Sequence, residues 1–91
     1  MRILAICGVG QGTSLILKMN IEEVVKDLGQ EAKVDFMDVS SARGDKANII
    51  VTNPQLAPQL EGHAAEVIVV RNYTDKEEIR DALGPVLERA S

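Results

Sequence analysis

The residues that could do chemistry lie together near the start of the chain. Cys7 is the only cysteine among 91 residues, and a thiolate is an effective nucleophile. Glycines follow it at alternate positions, so the main chain could turn tightly and direct its N–H groups toward an anion. This spacing predicts a nucleophilic thiol beside a phosphate-binding loop. The expected phosphate-binding residues are Gly8, Val9, Gly10, Gln11, Gly12, Thr13 and Ser14.

A helix predicted to begin at Thr13 or Ser14 strengthens this interpretation. Either hydroxyl could cap the helix, and a helix N-terminus presents unpaired N–H groups and about half a positive charge. Helix N-termini bind phosphate and favour a thiolate over a thiol. The same geometry would therefore activate Cys7 and stabilise a phosphoryl group attached to it.

Other phosphate-binding motifs fit this stretch less well. A dinucleotide fingerprint needs Gly-x-Gly-x-x-Gly, and a Walker A loop needs Gly-Lys followed by Ser or Thr. Cysteine phosphatases place an arginine six residues after the thiol, where its fork clamps the phosphate, whereas this chain has Thr13. We therefore expect the loop to hold a phosphoryl group and surrender it to another molecule. A small cysteine-dependent phosphatase, a non-enzymatic anion-binding module and an inert buried cysteine remain as alternatives.

Composition narrows the class of protein. Ten basic and 14 acidic residues give a net charge of −4, and aromatic residues make up 2%, so no nucleic-acid surface is expected. The longest apolar runs are far shorter than the ~20 residues of a membrane span, and the N-terminus lacks the pattern of a signal peptide. A single cysteine suits a reducing cytoplasm and cannot form a Cys-based metal cluster. We expect a cytoplasmic protein with no cofactor and no metal.

Apolar runs and amphipathic stretches predict the element order βαβαβαβα. This order is typical of an α/β protein with a parallel sheet and helices on both faces. A buried first strand indicates the flavodoxin-like, Rossmann-like strand order 2-1-3-4, similar to low-molecular-weight tyrosine phosphatase. We expect residues 1–91 to form one domain, with the site beyond the carboxyl end of the first strand. The predicted strands are Arg2–Ile6, 32–36 at an edge, 47–52 and 66–70.

Local signals predict where the helices begin, end or bend. Gly29 follows the first amphipathic stretch and is typical of a helix C-terminus. Thr74 and Glu77 have the spacing of a capping box before the last helix, and Gly84-Pro85 predicts a kink or an interruption inside it. The apolar stripe of the first helix consists of Leu17, Ile21, Val24, Val25 and Leu28.

Residues 2–14, followed by Lys18-Met19, resemble the EIIB subunits of the bacterial phosphoenolpyruvate-dependent sugar phosphotransferase system. Within the ascorbate/galactitol group they are most similar to the ascorbate-type branch, although Val9 stands where that branch commonly has a polar residue. Residues 47–51 and 69–72 extend the resemblance over most of the chain.

The resemblance implies a phosphoryl carrier in a single EIIB domain. In such a protein Cys7 accepts a phosphoryl group from a phosphohistidine of an EIIA partner. It then passes the group to a sugar, ascorbate-like or another carbohydrate, bound in a membrane EIIC transporter. The resemblance also implies that the chain associates with the membrane through EIIC, without inserting into it.

Residues outside the loop are weaker candidates. His63 is the only histidine; it follows Gly62 in a polar segment and is expected to be solvated on the surface. Lys18 is expected to be a solvated helix residue, although it could assist phosphate binding. Arg71 ends the last strand at the same edge as Cys7. Its guanidinium is expected either to contact a partner's phosphate or to form a structural ion pair, and the sequence favours neither role.

Four further residues flank the predicted site. Thr52 and Asn53 end the third strand and are expected to line the site or hold the loop. Leu15 and Ile16 lie off the apolar stripe of the first helix. They either dock a partner protein or pack on the loop after the third strand.

Overall fold

The computed structural model describes the main chain of residues 1–6 and 10–90, and the side chains of residues 1–6 and 15–89. Strands and helices alternate along it as predicted. The strands are β1 (Arg2–Ile6), β2 (Lys33–Met37), β3 (Ile49–Thr52) and β4 (Glu66–Val69). The helices are α1 (Gly10–Asp27), α2 (Val39–Ala42) and α3 (Lys76–Ala90), with a 3-10 turn at Ala57–Leu60.

The four strands form one parallel sheet in the order β2-β1-β3-β4, which confirms the predicted fold class. β1 lies inside the sheet and pairs along its whole length with β2. On its other side it pairs with β3 as far as Ala5 and Val51. Because both neighbours cover it, residues 3–6 are fully buried, as a continuously apolar strand predicts.

Helices pack on both faces of the sheet. α1 and α3 cover one face, and α2 and the 3-10 turn cover the other. The predicted stripe of α1 faces the larger core, although Leu28 is only partly buried. The helical residues buried in that core are Leu17, Ile21, Val24, Val25, Ile79, Leu83, Val86 and Leu87. On the opposite face the buried residues include Leu4, Ile6, Ala42, Ile50 and Leu60.

α1 begins at Gly10, three residues before the predicted start at Thr13. The prediction that Gly10 and Gly12 curl in left-handed conformations is therefore wrong, because both belong to the helix, and the predicted caps Thr13 and Ser14 lie inside it. Glycine adopts right-handed conformations about as readily as left-handed ones, so glycine spacing alone does not distinguish a tight loop from a helix. The buried stripe that starts at Leu17 anchors the helix to the sheet.

Gly29 ends α1 as predicted, with a φ of +71°. Its N–H donates to the carbonyl oxygen of Lys26 at 3.0 Å, and the N–H of Gln30 donates to that of Val25 at 3.1 Å. This pair of bonds forms the Schellman motif, which satisfies carbonyl groups at the end of a helix.

α3 begins one residue later than the predicted capping box requires. Asp75 caps it, because its Oδ1 accepts hydrogen bonds from the N–H groups of Glu77 at 3.0 Å and Glu78 at 3.2 Å. The predicted pairing of Thr74 with Glu77 is therefore wrong. Aspartate caps helices at least as well as threonine, so two adjacent cap residues compete at this position.

Pro85 lies inside α3 without interrupting it, and the predicted interruption is wrong. Proline removes one N–H group from the helical hydrogen bonds and disfavours the preceding turn. Val86 and Leu87, directly after it, are buried against the sheet. Their packing keeps the last turns of α3 helical.

Arg2 joins three segments at the edge opposite the carboxyl ends of the strands. Its guanidinium donates to Asp45 at 2.9 and 3.0 Å and to Asp35 at 2.5 Å. The hydrogen bonds with Arg2 lower the pKa of Asp45, and the hydrogen bond to Asp45 raises the pKa of Arg2. These contacts fix the start of β1, whose other end leads into α1.

Candidate functional site

The carboxyl ends of all four strands meet at one edge of the sheet because the strands are parallel, and ligands of such sheets bind at this edge. β1 ends at Ile6 and α1 begins at Gly10. Only Cys7, Gly8 and Val9 separate them, so the connection is shorter than the loop that the sequence predicted. These three residues lie outside the described residues, and their predicted roles stay predictions.

The N-terminus of α1 faces the same edge and carries no acidic residue in its first turn. No carboxylate of that turn therefore offsets the positive end of the helix dipole. The first N–H groups of a helix have no partner within it, and in α1 these include the N–H groups of Gly10, Gln11 and Gly12. Of the two features that the sequence offered for anion binding, a glycine turn and a helix N-terminus, the structure contains the helix N-terminus. The side chains of these residues and of Ser14 lie outside the described part.

Thr52 ends β3 beside the end of β1. Ala5 pairs with Val51, so the next residues along the two strands are Ile6 and Thr52. Thr52 is fully buried, and its Oγ1 has no hydrogen-bond partner among the described residues. A buried hydroxyl without a partner is unfavourable. The edge next to Cys7 therefore carries a polar group that its surroundings do not satisfy.

Asn53 joins the loops that follow β3 and β4. Its Nδ2 donates to the hydroxyl oxygen of Tyr73 at 2.5 Å, and its Oδ1 accepts from the N–H of Leu56 at 2.8 Å. Asn20 of α1 adds a third link by donating to the carbonyl oxygen of Tyr73 at 2.7 Å. Asn53 therefore connects the loops after β3 and β4, while a contact between Asn53 and the segment that contains Cys7 stays a prediction.

An open cavity of about 430 Å³ lies between the ends of β3 and β4. It is lined by Asn53, Pro54, Gln55, Arg71 and Tyr73. Tyr73 packs against the core that α1 covers, so the cavity lies on the face of the sheet where α1 begins. One guanidinium, two amides and a phenol line it, a set of groups that suits an anionic ligand.

Arg71 supplies the charge of this cavity. Glu78, on the first turn of α3, directs both carboxylate oxygens to main-chain N–H groups, accepting from Arg71 at 2.7 Å and from Asn72 at 3.1 Å. Within residues 1–6 and 15–89, no carboxylate forms an ion pair with the Arg71 guanidinium. Of the two interpretations that the sequence left open, the structural ion pair is therefore wrong for the described residues.

Asp38, directly after β2, is committed to capping α2. Its carboxylate accepts from the hydroxyl of Ser41 at 2.7 Å and from the Ser41 N–H at 3.2 Å. These hydrogen bonds lower the pKa of Asp38. A carboxyl group that is held ionised by its own helix is poorly suited to act as a general acid at this edge.

His63 lies away from the candidate site and is not the solvated residue that the sequence predicted. Its half-buried ring bridges two main-chain groups: Nε2 is 2.9 Å from the carbonyl oxygen of Ala42, and Nδ1 accepts from the N–H of Ala65 at 2.9 Å. These bonds require the neutral ring with its proton on Nε2. His63 therefore joins α2 to the segment before β4, near the opposite edge of the sheet.

Lys18 also differs from its prediction. Its side chain is 23% exposed and forms an ion pair with Glu22, one helical turn along α1, at 3.3 Å. Pairs at this spacing stabilise helices modestly. Lys18 is thus engaged within its own helix rather than free in solvent.

The first turns of α1 expose apolar side chains to solvent. Leu15 is 44% exposed, Ile16 46% and Met19 53%. Any packing of Leu15 and Ile16 on the loop after β3 is therefore partial. Docking of a partner protein stays a prediction, and it is consistent with three neighbouring apolar residues beside the connection that contains Cys7.

No helix in the described part of the chain combines the length and the apolar character needed to cross a membrane. The family model described as the lactose/cellobiose-specific IIB subunit of the PTS system matches residues 2–84. An ascorbate-specific PTS system EIIB component of Mycoplasma pneumoniae is 36% identical over 90 residues, which cover 96% of this chain and 95% of that protein. The component of the same name from Escherichia coli O157:H7 is 31% identical over 74 residues, covering 78% of this chain and 73% of that protein.

A solved structure has the same fold. It is the lactose-specific IIB component domain of the phosphoenolpyruvate:carbohydrate phosphotransferase system from Streptococcus pneumoniae. The two chains superpose with a TM-score of 0.65 and 20% identity, covering 100% of this chain and 98% of the other. At 20% identity this similarity is evidence for the fold alone. The evidence for the family is the match to the family model and the similarity to the two relatives named above.

Proposed function

Because the chain belongs to the IIB subunit family of the phosphotransferase system, we propose that Cys7 is its phosphoryl carrier. IIB subunits are phosphotransferases, and this chain is the IIB component of a sugar phosphotransferase system of the ascorbate type. The observation that supports the proposal is the sequence position of Cys7. It stands between the buried end of β1 and the N-terminus of an 18-residue helix whose first turn has no acidic residue.

The carrier would work in two displacement steps at phosphorus. In the first, the Cys7 thiolate attacks the phosphorus of a phosphohistidine on EIIA. The S–P bond forms as the N–P bond breaks, and the histidine nitrogen keeps the electron pair. In the second, a sugar hydroxyl attacks the same phosphorus. The O–P bond forms, the S–P bond breaks, the hydroxyl proton passes to a base, and the thiolate is restored.

The start of α1 would stabilise the phosphoryl group between the two steps. A phosphoryl group brings about −1.5 to −2 charge at pH 7, and free N–H groups at a helix N-terminus favour such a charge. Glycine at positions 10 and 12 leaves these main-chain groups uncovered by side chains. We assign phosphate binding to residues 8–14, with the hydroxyls of Thr13 and Ser14 as further donors.

The proposed partners are EIIA as donor and a membrane EIIC that holds the sugar. We propose ascorbate, or a related sugar acid, as that sugar, because the relatives are described as ascorbate-specific. Such a protein would act in the cytoplasm and associate with the membrane through EIIC. The exposed side chains of Leu15, Ile16 and Met19 provide an apolar surface for these partners beside Cys7.

Mass spectrometry of the intact chain tests the phosphorylation step. The chain is incubated with phosphoenolpyruvate, the general phosphoryl carriers and a cognate EIIA, and peptide mapping locates the added phosphoryl group. We expect one phosphoryl group on Cys7 and none in Cys7→Ser, because a serine hydroxyl remains protonated and is a much weaker nucleophile.

Two results would contradict the proposal. One is the absence of phosphorylation in the wild type while a IIB subunit of known activity is labelled by the same donors. The other is steady, Cys7-dependent hydrolysis of p-nitrophenyl phosphate, which would indicate a phosphatase. The first step predicts at most a single turnover with that substrate.

A further inference from the structure

The cavity at the ends of β3 and β4 contains a cation, Arg71, whose main chain is fixed and whose side chain forms no ion pair with the described residues. The N–H of Arg71 is held by Glu78 at 2.7 Å, and the N–H of the preceding Val70 donates to the carbonyl oxygen of Thr52 at 2.8 Å. The guanidinium itself is exposed and has no ion pair among residues 1–6 and 15–89. Glu78, the neighbouring carboxylate, is occupied by main-chain groups.

Two of the other residues that line the cavity, Asn53 and Tyr73, are linked by a hydrogen bond. Asn53 is bonded to Tyr73 and to the main chain of Leu56, and Asn20 connects the same loop to α1. The cavity is therefore built on three linked elements rather than on a free loop. Arg71 projects from this rim, and no carboxylate of residues 1–6 and 15–89 uses any of its five N–H donors.

The position of the cavity relates it to the thiol. β3 lies between β1 and β4, and adjacent strands are about 4.8 Å apart, so the ends of β1 and β4 are separated by about 10 Å. An extended arginine side chain spans about 6–7 Å by ordinary bond lengths. A phosphoryl group bound at the carboxyl end of β1 would therefore lie within reach of Arg71 across Asn53.

We propose that Arg71 binds the phosphoryl group carried by Cys7, and that the cavity it shares with Asn53 and Gln55 receives the oxygens of that group during transfer. This inference rests on the proposed function. Cysteine phosphatases keep their arginine inside the loop, whereas this chain has Thr13 there. An arginine from the segment after β4 can stabilise the charge on phosphorus while leaving the attacking sugar hydroxyl free to approach.

Rapid-mixing measurements of Cys7 phosphorylation by phosphorylated EIIA test the role of Arg71. We expect Arg71→Gln to lower the rate constant at saturating EIIA by about 10–100-fold, the range for loss of a charge-assisted hydrogen bond. Arg71→Lys keeps the positive charge but loses the paired hydrogen bonds of the guanidinium, and we expect its rate constant to lie between those of Arg71→Gln and the wild type. Lys33→Gln is the matched control. It removes one positive charge from an exposed residue at the opposite edge and leaves the rate within about twofold.

A second measurement separates anion binding from chemistry. In Cys7→Ser, which carries no phosphoryl group, inorganic phosphate is titrated while NMR follows the guanidinium of Arg71 and the side-chain amide of Asn53. We expect saturable shifts at both groups, and we expect Arg71→Gln in the same background to remove the shift at Asn53.

The outcomes distinguish this inference from the function on which it rests. If the wild type is not phosphorylated at Cys7, the proposed function fails, whereas phosphate shifts at Arg71 would still support an anion site. If phosphorylation proceeds but Arg71→Gln matches the wild type, the inference about Arg71 is wrong. A change confined to the dissociation constant of EIIA, with an unchanged rate at saturation, also overturns it, because Arg71 would then contact the partner protein instead.

Discussion

Replacing Thr52 by valine should make this protein more stable. Thr52 is fully buried at the end of β3, and within the part of the chain that the structure describes its Oγ1 has no hydrogen-bond partner. Leaving a hydroxyl buried and unpaired costs about 1–3 kcal/mol. Valine has nearly the same shape and replaces the hydroxyl by a methyl group, so the strand need not move. We expect Thr52→Val to raise the free energy of unfolding by about 1–2 kcal/mol.

Urea unfolding followed by circular dichroism measures this change. The midpoint concentration should rise with an unchanged slope, and Tm should rise by about 4–8 °C for each kcal/mol in a domain of this size. Val51→Thr is the matched control, since it places a second hydroxyl at a neighbouring buried position; it should lower stability by about 1–3 kcal/mol. Thr52→Ser keeps the hydroxyl and loses a methyl group, with a loss of about 1 kcal/mol.

The reasoning is refuted if Thr52→Val unfolds at the same urea concentration as the wild type or at a lower one. That result would mean that the surroundings of Thr52 stabilise a hydroxyl at least as well as a methyl group. An increase in Thr52→Val together with a decrease in Val51→Thr supports the assignment of the unpaired hydroxyl.

Three further predictions concern the helix start, the helix end and the opposite edge. Gly10→Val should impair phosphorylation of Cys7 with little loss of fold, because a branched side chain covers the first N–H groups of α1; normal labelling by mass spectrometry would refute this. Gly29→Ala should lower the free energy of unfolding, measured in urea, by about 1 kcal/mol, because the φ of Gly29 is +71°. In the control Gly44→Ala the added methyl group meets no atom within 4 Å, so the free energy of unfolding should change little. Arg2 lowers the pKa of Asp45 below its ordinary value of 3.8. The stabilisation from this pair is therefore present above that pH and is lost as the pH falls through the lower, folded pKa. In acid titrations of urea stability, wild type and Asp45→Asn should converge as the pH falls below the lowered pKa of Asp45, and parallel curves would contradict the assignment.

The fold could be predicted because its signals are local and agree with one another. The unbroken apolar run of β1 indicated a strand with neighbours on both sides, and the structure places it inside the sheet. The stripe of α1 was readable for the same reason, since a 3.6-residue period leaves only one face to bury. Gly29 completed this pattern as a residue tolerant of positive φ at a helix end.

The start of α1 could not be predicted because its residues allow two conformations. Gly10 and Gly12 permit both a left-handed turn and a helix, and Thr13 can cap a helix or lie inside it. What decides between them is packing farther along, where the stripe that starts at Leu17 meets the sheet. A similar competition between Thr74 and Asp75 displaced the start of α3 by one residue.

The hydrogen-bond partners of the polar residues also could not be predicted from local sequence patterns. His63 bonds Ala42, which is 21 residues away, and Asn53 bonds Tyr73, which is 20 residues away. Only the folded chain brings these groups together. The sequence could place Arg71 at the correct edge, but it could not show that Glu78 would bond the main chain and leave the guanidinium open.

The outer strands of the sheet have a consequence for how the protein behaves in concentrated solution. A free strand edge can recruit another chain and start aggregation. β4 has only four residues, and Glu66 at its start pairs with Arg89 of α3 at 2.6 Å. On the other side, β2 carries the charged residues Lys33 and Asp35. Short length and charge at both margins disfavour growth of the sheet by strand addition, which favours a dispersed protein at the concentrations that NMR titrations require.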